Sequence, residues 1–347
     1  MTRTRRRRTA TGARWRLVTG LVAALALTGC TAATAPAAPT GPPPTPQARQ
    51  LADAVTLDGA VAQLEALQRI ADDSGGTRAS GTPGYERSVD HVAGELRAAG
   101  FDVSTPTYEV DDDTTLRNVV AQTRTGDPGA VVVTGAHLDS VEDGPGINDD
   151  GTGVAALLET ATRLGGSPEI DNAVRFAFWG SEEDNLQGST GYVDGLSGAE
   201  RDAILLYLNA DMLGSPNGGY FVQGGAGDGR SETGPPGSAT VARTLTEELS
   251  ATGVTAETIP FVGDDDAPFV EAGIPTGGAL TGDADRKTPE QARAWGGQAG
   301  EVFDRCYHSA CDDLSNVNRT LLERYTTAIA GTVGRFATGA AERPSSG

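Results

Sequence analysis

Apolar positions along this chain follow two alternating patterns. Tyr85, Val89, Val92, Leu96 and Ala99 recur at steps of four and three, and Gly100 follows. That spacing predicts one face of an amphipathic helix, with glycine as its stop. Val154, Leu157, Leu158, Ala161 and Leu164 predict a second helix, ended by Gly165 and Gly166. Ala242–Leu249 and Leu321–Phe336 read as two more. Between them lie short continuous apolar runs, Val119–Gln122, Val131–Gly135, Val174–Trp179 and Ile204–Leu208, which read as buried strands. Tyr220–Gln223 and Thr276–Leu280 are weaker strand candidates. The alternation predicts an α/β fold with a mixed, mostly parallel sheet sandwiched by helices. Ligand sites in such sheets lie beyond the C-terminal strand ends. No internal repeat interrupts the pattern.

The ends of the chain read differently. Residues 1–16 hold seven Arg and no acid, and Leu17–Leu27 is a nearly continuous apolar run. A basic region, a short apolar region and small residues describe a secretory signal. The run is shorter than the roughly 20 residues of a bilayer span. Leu27-Thr28-Gly29-Cys30 resembles the bacterial lipobox, whose Cys is lipidated and becomes the mature N-terminus. An ordinary signal peptide with an incidental Cys is the alternative. Six Pro and five Ala follow in residues 31–46, an extended and semi-rigid composition. The expected organisation is a lipoprotein signal peptide (1–29), a Pro/Ala-rich linker (30–48), one folded domain (49–338) and a disordered tail (339–347).

Composition narrows the chemistry. The chain has 347 residues, 47 acidic and 27 basic side chains, and a formal charge of −20. Removing the 29-residue signal and its seven positive charges leaves 318 residues and −27. So acidic a chain lacks the clustered Lys and Arg that neutralise phosphates, so no nucleic-acid partner is expected. Three Cys cannot build a disulfide-dense scaffold. With three His, a catalytic metal site must also draw on carboxylates.

Carboxylates and His gather at the strand ends. TGAHLDS (134–140) puts His137 and Asp139 just past a strand, and GPGINDDGTG (144–153) carries Asp149 and Asp150 before a helix. FAFWGSEED (176–184) ends a strand with Glu182 and Glu183, and LNADMLGS (208–215) ends another with Asp211. CYHSAC (306–311) sets His308 between two Cys. Each motif alone has a structural explanation: a hydrogen-bonded His, a turn or helix cap, a solvated pair of acids. Five strand-end or loop positions supplying His, Asp, Glu, Asp and His together fit zinc, which binds imidazole nitrogen and carboxylate oxygen. Two His and three carboxylates are too few for two independent three-ligand sites, but they suffice if one carboxylate bridges. Such paired metals lie roughly 3.5–4 Å apart and stabilise both attacking and developing oxygens.

These segments resemble the co-catalytic di-zinc aminopeptidases, and specifically the compact secreted Streptomyces-type members. GGTRASGTPGYERSVDHVAGELRAAGF (75–101), GAHLDSVEDGPGINDDGTG (135–153), WGSEED (179–184), LNADMLGSPNGGYF (208–221) and WGGQAGEVFDRCYHSACDDLSN (295–316) carry the likeness, in order, through about residues 57–335. The resemblance implies the zinc-dependent exopeptidase fold in a single catalytic domain. It implies two zinc ions per chain, one on His137 and Asp211, the other on Glu183 and His308, with Asp149 bridging and a cis peptide between Asp149 and Asp150. Glu182 would be general base and acid towards the water held by the two ions, and Tyr307 would donate to the oxyanion. Asp139 would orient His137. Met212, Leu280 and Tyr307 would line the pocket for the substrate's first side chain, which implies apolar N-terminal residues. Cys306 and Cys311 would pair, leaving Cys30 for lipidation; both Cys as zinc ligands is the lesser alternative. Calcium has no assigned ligands.

The chain departs from the family pattern in places. Asp184 follows the Glu pair where relatives often have an apolar residue, and Ala210 replaces a common aromatic. The family's Ser-Asp-His before Ala-Pro-Phe reads Asp264-Asp265-Asp266, and Leu280 stands where Phe is common. Tyr108–Asn118 joins neighbouring elements directly, so the inserted protease-associated domain of larger relatives is missing. His91 lies opposite the apolar stripe and is expected to be exposed and silent. The expected protein is therefore an extracytoplasmic metalloaminopeptidase acting on peptide N-termini. It would be a monomer held at the outer face of the membrane through Cys30. The alternatives are a related zinc acyltransferase of the glutaminyl cyclase kind, a carboxypeptidase, or a non-catalytic binding ectodomain.

Overall fold

A computed structural model describes residues 46–111, 114–224 and 234–340. The expected signal, most of the expected linker and the tail from 341 lie outside the described residues. In chain order the elements begin with α1 (Pro46–Ala54), α2 (Leu57–Asp72) and α3 (Pro83–Ala98). Strand β1 (Asp102–Ser104) comes next, and then a hairpin of β2 (Thr107–Asp111) and β3 (Thr114–Arg117). The central part holds β4 (Val119–Gln122), β5 (Asp127–His137), α4 (Gly151–Leu164), β6 (Asn172–Trp179), α5 (Gln187–Asp194), α6 (Gly198–Ala203) and β7 (Ile204–Ala210). The last third holds β8 (Phe221–Gln223), α7 (Ser238–Ala251), β9 (Glu257–Ile259), α8 (Ala267–Glu271), β10 (Thr276–Leu280), α9 (Pro289–Trp295) and α10 (Arg319–Ala337).

Eight strands form one sheet in the order β1-β4-β6-β5-β7-β10-β8-β9. The four central strands β6, β5, β7 and β10 are parallel, whereas β1, β4 and β8 run antiparallel to their inner neighbours. The expected mixed, mostly parallel sheet is present. The chain runs from β5 to β6 on one side and then returns to β7 on the other, so the strand order reverses at β5. A crevice opens at such a reversal, beyond the C-terminal strand ends.

Both faces of the sheet are covered, which is why its strands read as unbroken apolar runs. Val132, Val174, Phe176, Phe178, Leu206 and Leu208 pack on one face, beneath Leu64, Val89, Leu157 and Ile329 of the helices. The intervening residues Val131, Val133, Ala177, Trp179 and Tyr207 pack on the other, where Tyr207 stacks on Phe269 at 3.8 Å. The side-chain period of two divides each strand between two cores.

Several boundaries shift from the expected ones by a few residues. Strand β5 continues to His137, so this residue ends the strand and does not follow it. Helix α1 starts at Pro46, inside the expected linker, because proline suits the first helical position. Thr107–Asp111 and Thr114–Arg117 pair as two antiparallel strands. His91 corrects an expectation. Its ring is half-buried between α3 and α2, and Nε2 lies 3.0 Å from Gln63 Oε1. The helix pair is close enough there to cover even the side opposite the apolar stripe.

Candidate active site

Five chain segments converge at the C-terminal ends of β5, β6 and β7. His137 is the last residue of β5 and is 2% exposed. The loop after it returns through Gly146, whose φ is +60°. A Cβ at Gly146 would lie 2.4 Å from both Asp149 O and Ser140 Cβ, so only glycine lets the loop close. The peptide between Asp149 and Asp150 is cis. Asp150 then caps α4, with Oδ1 accepting Gly153 N at 2.8 Å.

Asp149 lies between the two imidazoles. Its Oδ1 is 3.0 Å from His137 Nε2 and its Oδ2 is 3.3 Å from His308 Nε2. Glu183 Oε2 is 3.0 Å from His308 Nε2, and Asp211 Oδ1 is 3.8 Å from His137 Nε2. Glu182 Oε2 stands 4.0 Å from the same His137 nitrogen. Asp139 Oδ1 faces the other side of the ring, 3.5 Å from Nδ1. The structure thus brings together His137, Asp139, Asp149, Glu182, Glu183, Asp211 and His308.

Backbone geometry holds these groups in place. Ser181 has φ 52° and donates its N–H to Ser80 Oγ at 2.8 Å, which turns the chain so that Glu182 and Glu183 follow β6 inward. Asp211 follows β7 directly and donates N–H to Ala279 O at 3.1 Å. His308 has φ 53° and lies in the loop closed by the Cys306–Cys311 disulfide. The bond between these two Cys sets aside the alternative that both ligate zinc. Tyr307 stacks on His308, with ring centroids 3.8 Å apart.

Crowding of buried carboxylates governs the electrostatics. Burial pushes the Glu182 carboxyl up to about 9; His137 opposes this, and Asp265, Asp149 and Asp139 add to it. Burial, then Asp150 and Asp264, push Asp211 well above the usual range. Burial acts in the same direction on Asp149, but hydrogen bonds from His137 and His308 outweigh it and hold that carboxyl low. His308 is pushed up to about 10 by Asp149 and Glu183. Burial, then Asp149, Asp211 and Glu183, raise the Tyr307 phenol, so it keeps its proton.

The donor set fits a divalent cation. Ligand atoms of His137, Asp149 and Glu183 lie within 4.8 Å of one another. Buried oxygens Glu183 Oε1 and Asp211 Oδ1 have no hydrogen-bond partner among the described residues. Buried anionic oxygens left this way are costly unless a cation meets them. Atoms of His137, Asp150 and Asp211 are equally close. Asp150 is nonetheless committed to the backbone, since Oδ2 accepts His137 N at 3.2 Å and Oδ1 accepts both Gly153 N and Met212 N. It reads as a scaffold residue, a role that the sequence left unassigned.

Asp312 was also unassigned. Its carboxylate accepts Asn148 N at 2.9 Å and Asp149 N at 3.0 Å, fixing the backbone beneath Asp149 from the far end of the chain. Its position just after Cys311 was the one available signal. Beside the cluster lies an apolar wall. Met212, Phe221, Leu280 and Phe303 pack together, with Ile259, Trp295 and Tyr307 against them. Met212, Leu280 and Tyr307 therefore belong to one apolar cluster, and Phe221 and Phe303 join them.

The fold and the convergent cluster define a class, an α/β protein with its site at the sheet's reversal point. The chain belongs to Peptidase family M28, whose profile matches residues 118–333. Leupeptin-inactivating enzyme 1 of Streptomyces exfoliatus is 44% identical over 293 residues, which are 83% of this chain and 62% of that protein. The probable lipoprotein aminopeptidase LpqL of Mycobacterium tuberculosis is 44% identical over 302 residues, 83% of this chain and 59% of that protein. The chain thus spans about three fifths of the length of these relatives. Among solved structures, a zinc aminopeptidase from Bacillus subtilis shares the fold with a TM-score of 0.66 at 18% identity, covering 82% of this chain and 96% of that one.

Proposed function

We propose that this protein is an extracytoplasmic metalloaminopeptidase that removes single N-terminal residues from peptides. The carrying observation is Asp149, which turns one carboxylate oxygen to His137 and the other to His308. That arrangement suits two zinc ions sharing Asp149, with His137 and Asp211 on one and His308 and Glu183 on the other. Zinc bound there would polarise a carbonyl and make water a stronger acid near neutral pH. The names of the relatives, a leupeptin-inactivating enzyme and a lipoprotein aminopeptidase, support the same reading.

Glu182 is the proton carrier in this reading. It stands beside the cluster, 4.0 Å from His137 Nε2, and is partly open to the crevice. With the positive charge of bound metal beside it, the Glu182 carboxylate would be ionised, ready to accept a proton from the attacking water and return it to the leaving amine. The Tyr307 phenol, held protonated, donates to the developing oxyanion. The wall of Met212, Phe221, Leu280 and Phe303 takes an apolar first side chain. Asp264 and Asp265 lie near enough to Asp211 and Glu182 to perturb them. Their negative field suits a free α-ammonium and disfavours a C-terminal carboxylate.

Residues 1–29 act as an export signal in this account, and Cys30 as the lipidated anchor on a Pro-rich stalk. No helix among the described residues is long and apolar enough to cross a membrane. Mass spectrometry of the mature N-terminus tests the anchor: a diacylglyceryl Cys30 supports it, and an unmodified one contradicts it.

Release of Leu, Phe, Arg and Glu from p-nitroanilide reporters, with and without chelator, tests the reaction and the pocket together. Leu and Phe reporters should be cleaved fastest, N-acetylated ones not at all, and added zinc should restore chelated enzyme. Cleavage that ignores the chelator, or that prefers blocked N-termini, would overturn the proposal.

A further inference from the structure

Arg78 lies in the turn between α2 and α3 and is completely buried. A buried guanidinium is costly unless its donors are met. Here they are met by backbone carbonyls, and among the described residues no carboxylate oxygen accepts from it. Nε donates to Pro145 O at 2.9 Å, Nη2 to Gly146 O at 2.5 Å, and Nη1 to Leu138 O. The Arg78 backbone N–H donates to Ser140 Oγ at 3.0 Å, and Thr77 Oγ1 donates to Val141 O at 2.9 Å.

Two separate segments are gripped by this one side chain. Leu138 is the residue between His137 and Asp139. Pro145 and Gly146 form the tight part of the loop that leads to Asp149. That loop has no slack, because a Cβ at Gly146 would also come within 3.1 Å of Arg78 Nη2. The charge is placed as well as the fork. Burial pulls the Arg78 pKa down, while Asp139, Asp150, Asp312 and Asp149 hold it up.

We propose that Arg78 is a positioning residue: its guanidinium fixes the spacing between the His137 segment and the Asp149 loop, and so sets how tightly the Asp149-bridged centre holds metal. This rests on the metal-centre reading above. Lysine would keep the charge but, as a point donor on a flexible stem, cannot hold three carbonyls from two segments in one plane.

The test is calorimetric zinc titration of chelated wild-type and Arg78→Lys protein, with kcat and KM on Leu-p-nitroanilide measured alongside. Arg78→Lys should keep the wild-type far-UV circular dichroism and lose about tenfold or more in zinc affinity, within the range seen when residues that orient ligands are changed. Turnover should fall similarly, with KM changed little. Zinc affinity within about twofold of wild type would overturn the role of Arg78. Failure of Arg78→Lys to fold in excess zinc would overturn it too, because the residue would then serve the whole domain. A wild-type protein that takes up no zinc would instead overturn the metal-centre reading.

Discussion

The Asp139 carboxylate accepts the backbone N–H of Glu182 at 3.2 Å. The same Oδ1 faces His137 Nδ1 at 3.5 Å. One fully buried carboxylate therefore faces a ring proposed to bind metal and holds the backbone of the proposed proton carrier. Asp139→Asn keeps an acceptor for Glu182 but loses the anion beside the ring. It should cost about 10–100-fold in zinc affinity or turnover, with the fold intact. Metal titration and steady-state kinetics on the purified variant check this; unchanged values would remove Asp139 from the account.

Glu182 touches the cluster without being needed to ligate it. Glu182→Gln keeps the size of the side chain and removes its basicity. The variant should retain wild-type zinc content and melting temperature and lose about 10²–10⁴-fold in kcat. Metal content by plasma mass spectrometry separates this outcome from loss of a ligand. Near-normal turnover would mean that another group carries the proton.

The Cys306–Cys311 bond closes a loop of only five residues' separation. So small a loop contributes about 2 kcal/mol through chain entropy. Its larger effect lies in holding Tyr307 and His308, whose φ of 53° is in the left-handed region. Reduction should lower turnover by about tenfold or more, through small displacements of groups at the reaction centre, with circular dichroism preserved. Activity that survives complete reduction, checked by thiol titration, would argue against this positioning role.

His91 supplies a pH test far from the metal cluster. Burial between two helices pulls its pKa below the usual 6.5; Glu95 pushes it up and Arg69 pushes it down. The folded state therefore favours the neutral ring. Above about pH 6.5 both states are neutral and His91 has no effect. As pH falls through that value the unfolded chain takes up the proton first, and stability is lost. Urea unfolding from pH 8 to 5 should show a shallower decline for His91→Gln than for wild type. Parallel curves would place His91 in water, as its position opposite the stripe had suggested.

Much of the fold was legible because both sheet faces are buried. Continuous runs such as Val174–Trp179 survive as strands, since alternate residues enter two different cores. The stripes of α3 and α4 were equally plain. Helix α2 carries the same spacing at Ala60, Leu64, Leu67 and Ala71, yet had no place among the expected helices. Elements of three to six residues, such as β1, β9, α6 and α8, are too short to show a period. The carboxylates and His of the cluster were visible because each sits in a motif at a strand end or in a loop. Asp312 and Arg78 were not, because the backbone atoms they hold lie 163–164 and 60–68 residues away. Such bonds leave no local pattern; only the folded chain puts the donor opposite the acceptor.

The central claim is that Asp149 joins two metal ions at one centre. Zinc per chain, measured by plasma mass spectrometry on chelated protein titrated with zinc and freed of excess, tests it most directly. Two zinc per wild-type chain are expected, with a loss of high-affinity occupancy at both positions in Asp149→Ala. One zinc per wild-type chain, or two retained in Asp149→Ala, would contradict it.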